Sequence, residues 1–264
     1  MVALLSLALL TGDVLARVGP GAVTLRYRSH GGKSHVYSTR QATVVRQWSE
    51  PETGRATAAP VMHRQDFRKV STRTAMEAGP DRLRVRIEVQ KISTKLDGQE
   101  LPRVPPGAAA ESLMSVRGHP LDPRDGKPLG TPAMTLVLGP DPLPPPLEAL
   151  GHKVLEEVEW TEENPASEDL PIPCTTHFKI QGIAEVSGRE CVMIKVWATA
   201  KGTVERLRSE VVVTGNGKIA FDPEEGIVVE SATEVTVEQQ FPRARSGKLR
   251  RATMTMVVKS RLMP

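Results

Sequence analysis

The sequence predicts a mainly β fold: a long-stranded, strongly curved antiparallel sheet, half-barrel-like, with one or two short helices and Pro-rich loops. Apolar and polar residues alternate with period two along most of the chain, which is typical of strands that bury one face. Gly- and Pro-containing turns separate these runs. One run keeps its alternation from Ile227 to Phe241, and a strand of that length has to bend or coil with its sheet.

The chain opens with the apolar segment MVALLSLALLTGDVLA, residues 1–16. Ala16 is small enough for cleavage by signal peptidase, so this segment is predicted to be a signal peptide and the protein to be periplasmic or secreted. No basic residue precedes the apolar run, which departs from the usual pattern. Either the segment is truncated at its start or it is a short buried element. The run from Val2 to Leu10 is too short to span a bilayer, which needs about 20 residues.

A half-buried strand is predicted at LRVRIEV, residues 83–89, with its apolar residues pointing inward and its charged residues outward. The Gly79-Pro80 pair before it predicts a turn and therefore a hairpin. Farther along, AAAESLM (residues 108–114) is predicted to be a short helix. A second helix is predicted from Leu147 to Val158, where apolar residues fit one helix face beginning beside Pro146.

Two Pro-rich stretches, residues 101–107 and 139–151, cannot lie within a central strand. The second stretch is the best candidate for a domain boundary. Residues 17–264 are therefore predicted to form a single β-rich domain that this stretch crosses as a loop, or alternatively two halves, 17–140 and 151–264, that it joins.

The clearest hairpin is FKIQGIAEVSGRECVMIKVWA, residues 178–198. Its apolar positions are even-numbered in both runs, so a two-residue turn at Ser187-Gly188 would place one apolar set in solvent. The pattern predicts a three-residue loop, Val186 to Gly188, with Gly188 in the left-handed conformation. The predicted opposite pairs are Ile180 with Ile194 and Phe178 with Val196.

The same register predicts that the two cysteines do not form a disulfide. Cys174 lies opposite Ala200, nine positions from Cys191, which is about 30 Å at the rise of a strand. A disulfide needs Cα atoms within about 7 Å, so it would form only if Cys174 folded back out of the hairpin.

Two further strands are predicted around the turn FDPEEG, where Asp222-Pro223 opens the turn and Gly226 closes it. Odd-numbered residues from Ile227 to Phe241 are predicted to point inward. So are the even-numbered residues of ATMTMVV, residues 252–258.

Signatures of catalysis and of cofactor binding do not occur in the sequence: it has no phosphate loop, dinucleotide fingerprint, HExxH or G-x-S-x-G. The stretch CTTH, ending at His177, is half of a zinc signature without a second half. Cys191 is predicted to lie on the outer face of its strand with no histidine close by in the register. We expect no enzyme activity, no catalytic residues, no cofactor and no metal.

Composition and charge restrict the partners. Aromatic residues make up only 3% of the chain, so stacking platforms for single-stranded nucleic acid or sugars are few, and no nucleic-acid partner is expected. The formal net charge of +4 arises from 35 basic and 31 acidic residues, which is too balanced for a dedicated polyanion binder. Local clusters of charge therefore carry more information than the total.

Two basic clusters stand out: PRARSGKLRR, residues 242–251, and the stripe Arg82, Arg84 and Arg86. Either these residues are simply solvated or they contact an anionic surface such as lipid headgroups or polysaccharide. The acidic segment 156–169 is predicted to be a solvated loop, with a basic partner or a cation as the alternative. The basic residues of the first cluster are Arg243, Arg245, Lys248, Arg250 and Arg251.

The stretches VSGRECVMIKV (186–196) and GKIAFDPEEGIVVES (217–231) resemble bacterial exported proteins of unknown function. The resemblance covers mainly residues 160–240. The curved sheets of those proteins look like the half-barrels of periplasmic lipoprotein and lipid carriers. The resemblance implies one concave apolar face that could hold an acyl chain or an apolar peptide, and it brings no catalytic residues.

Two functions of different classes follow as hypotheses. The first is a non-catalytic cell-envelope protein that binds a hydrophobic ligand, a lipid or acyl group, on a concave apolar face. The second is a structural or protein-interaction module with a closed core. The pattern does not fix the oligomeric state. The predicted ligand-binding residues are Ile180, Ile194, Val196, Val229, Val235, Val237, Met254 and Met256.

Overall fold

The computed structural model describes residues 25–29, 31–50, 60–101, 109–116, 120–127, 159–164, 166, 172–204, 209–241 and 249–264. In this part of the chain the strands form one antiparallel sheet, and no helix occurs. The predicted mainly β, curved antiparallel fold is confirmed. The predicted helix from Leu147 to Val158 lies outside the described residues.

Twelve strands are described. They are β1 (Ser34–Glu50), β2 (Val61–Gly79), β3 (Arg82–Leu96), β4 (Gln99–Glu100), β5 (Ala109–Ser115), β6 (Pro120–Leu121), β7 (Glu159–Asn164), β8 (Cys174–Val186), β9 (Arg189–Val204), β10 (Ser209–Asp222), β11 (Ile227–Phe241) and β12 (Leu249–Leu262). Their order in the sheet is β6-β5-β3-β2-β1-β12-β11-β10-β9-β8-β7, with β4 paired to β3. β1 therefore lies beside β12.

The sheet curls so that regions far apart in the strand order share one core. Leu83 and Val85 on β3 belong to the same hydrophobic cluster as Phe178 and Ile180 on β8. Within the described residues the end strands β6 and β7 each have one neighbour, so the curved sheet stays open. We call the face that bears this cluster the inner face and the opposite face the outer face.

Alternation predicted which residues of several strands are buried. In β3, Leu83 and Val85 are buried while Arg84 and Arg86 are exposed. The turns at Gly79-Pro80 and at FDPEEG fall where they were predicted, between β2 and β3 and between β10 and β11. On β12, Met256 and Val258 are buried as expected.

Two segments were assigned wrongly. AAAESLM is not a helix, because residues 109–115 form β5, in which Met114 pairs with Leu83 and packs into the core. Pairing with the edge of β3 outweighs the helix preference of this Ala-rich stretch. The acidic segment predicted to be a loop contains the strand β7, where Trp160 stacks on Phe178 with ring centroids 5.0 Å apart.

The central hairpin has the predicted pairs but a different turn. Ile180 lies opposite Ile194 and Phe178 opposite Val196. The loop nevertheless contains only Ser187 and Gly188, with φ of 53° and 76°, as in a type I′ turn. Because the paired inward residues Ile180 and Ile194 are both even-numbered, a hairpin with a two-residue turn needs one unpaired residue between them. That residue is Gln181, which forms a β-bulge between Ile180 and Gly182.

The register of the two cysteines also matches the prediction. Cys174 lies opposite Ala200, and Cys191 lies opposite Ala184. Both thiols are free and buried. Cys191 shares one face of β9 with Met193 and Lys195, as predicted, but this face is covered at Cys191 and Met193. Residues 191–194 are all buried because both sides of β9 are covered beside the turn.

Candidate functional site

The eight predicted ligand-binding residues do not form one open surface. Ile180, Ile194 and Val196 belong to the first core cluster, and Val235 and Met256 belong to a second cluster with Ala198 and Val258. Val229 belongs to a third cluster. These six residues are buried, and only Val237 and Met254, which lie opposite each other, are partly exposed.

A segment that the sequence analysis did not single out closes one end of the inner face. Residues 25–29, which we call the strap, lie between the β2–β3 turn and the β10–β11 turn. The Arg26 guanidinium donates to the carbonyl of Pro80 at 2.7 Å, and a Cβ on Gly226 would lie 2.5 Å from the Arg26 carbonyl oxygen. The Tyr27 ring meets the edge of Phe221 at 5.3 Å between centroids.

A small cavity of about 30 Å³ lies between the strap and the sheet. That volume is room for about one water molecule, whereas pockets for small molecules measure roughly 300–1,000 Å³. None of the eight predicted ligand-binding residues lines it. Its lining residues include Tyr27, His35, Tyr37, Arg73, Leu83 and Val85.

Tyr27 is one of the buried polar residues that line this cavity. Its hydroxyl is buried and has no hydrogen-bond partner among the described residues. Burial raises the pKa of Tyr27 well above its ordinary value, so the phenol stays protonated. The Tyr37 hydroxyl, in contrast, donates to the Val228 carbonyl at 3.0 Å.

The two thiols are poor nucleophiles. Burial raises the pKa of Cys191 to about 12, and burial also raises the pKa of Cys174. A protonated thiol enclosed in apolar surroundings has little reactivity. In the described part of the chain no group of three or more His, Cys, Asp or Glu side chains is placed to hold a metal ion. That same part contains no helix long and apolar enough to cross a membrane.

The predicted basic clusters are only partly described. Arg243, Arg245 and Lys248 lie outside the described residues, and Arg250 and Arg251 are the second and third residues of β12. Arg82, Arg84 and Arg86 are exposed on β3, as expected. Arg86 is neutralised, since its guanidinium lies 2.6 Å from a carboxylate oxygen of Glu88 and 4.0 Å from one of Glu111.

A larger basic feature crosses the outer face. Consecutive cross-strand pairs place six cations in one lateral row from β2 to β8, interrupted only at β11, where Ala232 stands between Lys259 and Lys218. We call these six residues the cation row. In spatial order they are Arg68, Arg40, Lys259, Lys218, Lys195 and Lys179.

The cation row is exposed, except that Lys259 is half-buried. Lys179 Nζ lies 3.7 Å from a carboxylate oxygen of Glu159, and the other five have no ion pair with an acid among the described residues. Sequence analysis missed the row because each member is a single charged residue in its own strand. Aligning the outward positions of successive strands by register would have revealed it.

Comparison with known proteins gives no family. No family model and no curated protein matches the chain. Two solved structures with some likeness are OmpF of Salmonella typhi in complex with daunomycin (TM-score 0.23, 7% identity, covering 90% of this chain and 100% of that one) and an outer membrane channel from Pseudomonas putida F1 (TM-score 0.20, 7% identity, 96% and 98%). At these TM-scores neither likeness bears on the fold or function of this protein.

Proposed function

We propose that the protein is a non-catalytic interaction module with a closed core, which acts through its outer face. The observation that carries this proposal is the burial of the residues expected to line an open site. The protein's own side chains leave Ile180, Ile194 and Val229 each with 0% of their surface exposed. An open ligand site would instead leave apolar lining accessible.

The packing on the inner face supports the same proposal. The strap occupies one end of the inner face with Leu25 and Tyr27, both of which belong to the first core cluster. Farther along the face, Ile172 packs against the second cluster, and a Cβ on Gly202 would lie 2.7 Å from the Ile172 side chain. Core packing of this kind stabilises the fold and leaves the outer face as the surface for partners.

We further propose that the protein acts in the cell envelope or outside the cell. The support is the apolar segment 1–16, which ends at a residue small enough for signal peptidase. An envelope protein is then an available partner class as well.

A second candidate is the carrier of a hydrophobic ligand. The observation in its favour is that Val237 and Met254 are only partly buried, at the end of the inner face away from the strap. An acyl chain could enter the core beside them.

The test is native mass spectrometry of the mature chain purified from an exporting host, together with lipid extraction and titration with an apolar dye. The interaction module should give a ligand-free mass and should not take up the dye. A stoichiometric acyl ligand that is lost in Val237→Glu and Met254→Glu, while both variants remain folded by circular dichroism, would overturn the closed-core proposal and establish the carrier. Arg46→Glu, on the outer face, is the matched control.

A further inference from the structure

We propose that the cation row binds a linear anionic polysaccharide that lies across the strands on the outer face. This inference rests on the proposed function, because it names the partner of the interaction module. The ligand chemistry is a chain of sugars that carry carboxylate or sulfate groups.

The first argument is the repeated pairing of like charges. Arg40 lies directly opposite both Arg68 and Lys259, and Lys195 lies directly opposite both Lys218 and Lys179. Side chains in such pairs have Cβ atoms about 4.5–5.5 Å apart, and like charges there destabilise a sheet. An anionic chain over the row would relieve this repulsion, since five of the six residues form no ion pair with an acid among the described residues.

The second argument is the shape of the row. It crosses seven strands, from β2 to β8, which at about 4.8 Å between strands is a path of about 30 Å. It follows the outside of a curved sheet, since β3 and β8 contribute to the same core cluster on the inside. A flat lipid surface could touch only part of such a path, whereas a flexible chain can follow all of it.

Acidic residues near the row define two binding segments rather than one. Glu230 and Glu234 flank Ala232 on the outer face of β11, so the row divides into the triad on β2, β1 and β12 and the triad on β10, β9 and β8. Asp66 lies beside the first triad, but its carboxylate is held by the Arg64 guanidinium at 3.0 Å. A polymer whose charged groups are spaced along it can contact both triads and pass over the neutral Ala232.

An aromatic surface accompanies the second triad. Trp197 stacks on His177 with ring centroids 5.1 Å apart, and Lys195 Nζ lies 5.4 Å from the centroid of the Trp197 ring. One such platform beside six cations favours a charged sugar chain over single-stranded nucleic acid, which needs an aromatic ring for each of several bases. Affinity for the polysaccharide is therefore mainly electrostatic and falls with salt.

The experiment measures binding of the full mature chain to polygalacturonate and to dextran sulfate at two salt concentrations, with phosphatidylglycerol vesicles and oligothymidine as comparisons. The test variant is Arg40→Gln with Lys195→Gln, which removes the centre of each triad. The matched control is Arg46→Gln with Lys201→Gln, two exposed cations on the same two strands and the same face but outside the row.

We expect the test variant to bind the polysaccharide roughly tenfold more weakly, and the slope of its log binding constant against log salt concentration to be smaller by about two. The affinity of the control should change less than twofold. The stability of the test variant should stay the same or rise, because two like-charge clusters are relieved. Equal losses in both variants, binding to neither polysaccharide, or tighter binding to the vesicles or oligothymidine would overturn the inference. A preference for polygalacturonate or for dextran sulfate would assign the charged group as carboxylate or sulfate.

The two proposals can fail separately. Absence of polysaccharide binding by a protein that carries no lipid removes this inference and leaves the interaction module. A co-purified acyl ligand removes the interaction module, whatever the polysaccharide titration gives.

Discussion

Arg189 donates a hydrogen bond of 2.8 Å to Asp222, which ties the end of the β8–β9 turn to the end of β10. The second carboxylate oxygen of Asp222 accepts hydrogen bonds from the backbone N–H groups of Glu224 at 3.0 Å and Glu225 at 2.9 Å. The Asp222 side chain is 6% exposed, so these donors replace the water that it loses on folding. One buried carboxylate therefore organises both turns at this end of the sheet.

Asp222→Ala should lower the free energy of unfolding by about 3 kcal/mol, because it removes one partner of a buried ion pair and leaves two turn amides without their acceptor. Arg189→Ala should cost about 1 kcal/mol, since its side chain is 30% exposed and water can solvate what remains. Urea unfolding followed by circular dichroism measures both. Glu224→Ala, an exposed position in the same turn, is the control and should stay near wild type. Equal values for Asp222→Ala and the control would contradict this role.

Substitutions in the two-residue turn should change stability in opposite directions. Gly188→Ala should destabilise by about 1 kcal/mol, because φ there is 76° and an L side chain is strained in that region. No other atom lies within 4 Å of the added Cβ, so the cost is that of the backbone alone. Ser187→Asn should stabilise slightly, because Asn-Gly is the preferred type I′ pair. Thermal unfolding of the two variants tests the turn type, and a loss of stability in Ser187→Asn would argue against it.

The alternation of residues predicted the pairs of the central hairpin but not how the chain achieves them. Parity requires one unpaired residue between Ile180 and Ile194, and the sequence analysis placed it in the turn. The two-residue turn at Ser187-Gly188 was rejected on parity alone, and Gly182 was counted only as an inward residue of the first run. Gly182 has φ of 132° and takes part in the bulge. The alternation of inward residues therefore shows that the hairpin contains one unpaired residue. Whether that residue lies in the turn or in a bulge depends on the backbone conformation of the chain.

The strap and the cation row depend on information that lies beyond any single segment. The strap has only two buried apolar residues, Leu25 and Tyr27, and its place is set by contacts with residues about 50 or more positions away. The row joins residues from Arg40 to Lys259 through successive registers. Local patterns predict which side of a strand faces water, but lateral alignment needs every register between the strands.

Stability should fall at alkaline pH because of the buried thiols. The pKa of Cys191 is about 12 in the folded protein, and an unfolded thiol titrates near 8.5. Above about pH 8.5 the unfolded chain loses protons that the folded chain keeps, so the free energy of unfolding decreases, by up to about 1.4 kcal/mol per pH unit for each such thiol. The stabilisation is complete below that pH and is lost as pH rises toward 12.

Urea unfolding at pH 7, 8, 9 and 10 measures this slope. Cys191→Ala should reduce the decline between pH 8 and 10, while Cys174, whose pKa is also raised by burial, keeps part of it. This range stays near or below the ordinary pKa of tyrosine, so the buried Tyr27 contributes little. Identical slopes in wild type and Cys191→Ala would show that this thiol is not linked to folding.

Deleting the bulge residue gives the sharpest test of the hairpin. Deletion of a residue inside a strand normally turns every following side chain to the other face. Removal of Gln181 should instead leave a regular ladder in which Ile180 still faces Ile194. Gly182, which lies opposite Met193, then follows Ile180 directly, so no residue between Ile180 and the two-residue turn is unpaired. We expect this variant to fold, with a loss of about 1 kcal/mol, since only an exposed side chain and a local kink are removed.

Deletion of Lys179, two positions earlier on β8, is the matched control. If the bulge is kept, Phe178 turns away from the core; if the bulge is lost, Gln181 replaces Ile180 on the inner face. Either outcome should cost at least about 3 kcal/mol, because a large apolar side chain leaves the core and a polar one or a void replaces it. Urea unfolding compares the two deletions. Equal destabilisation would mean that the Gln181 bulge is required for the fold in itself, for instance through the extra twist it gives the sheet, and that parity alone does not explain the register.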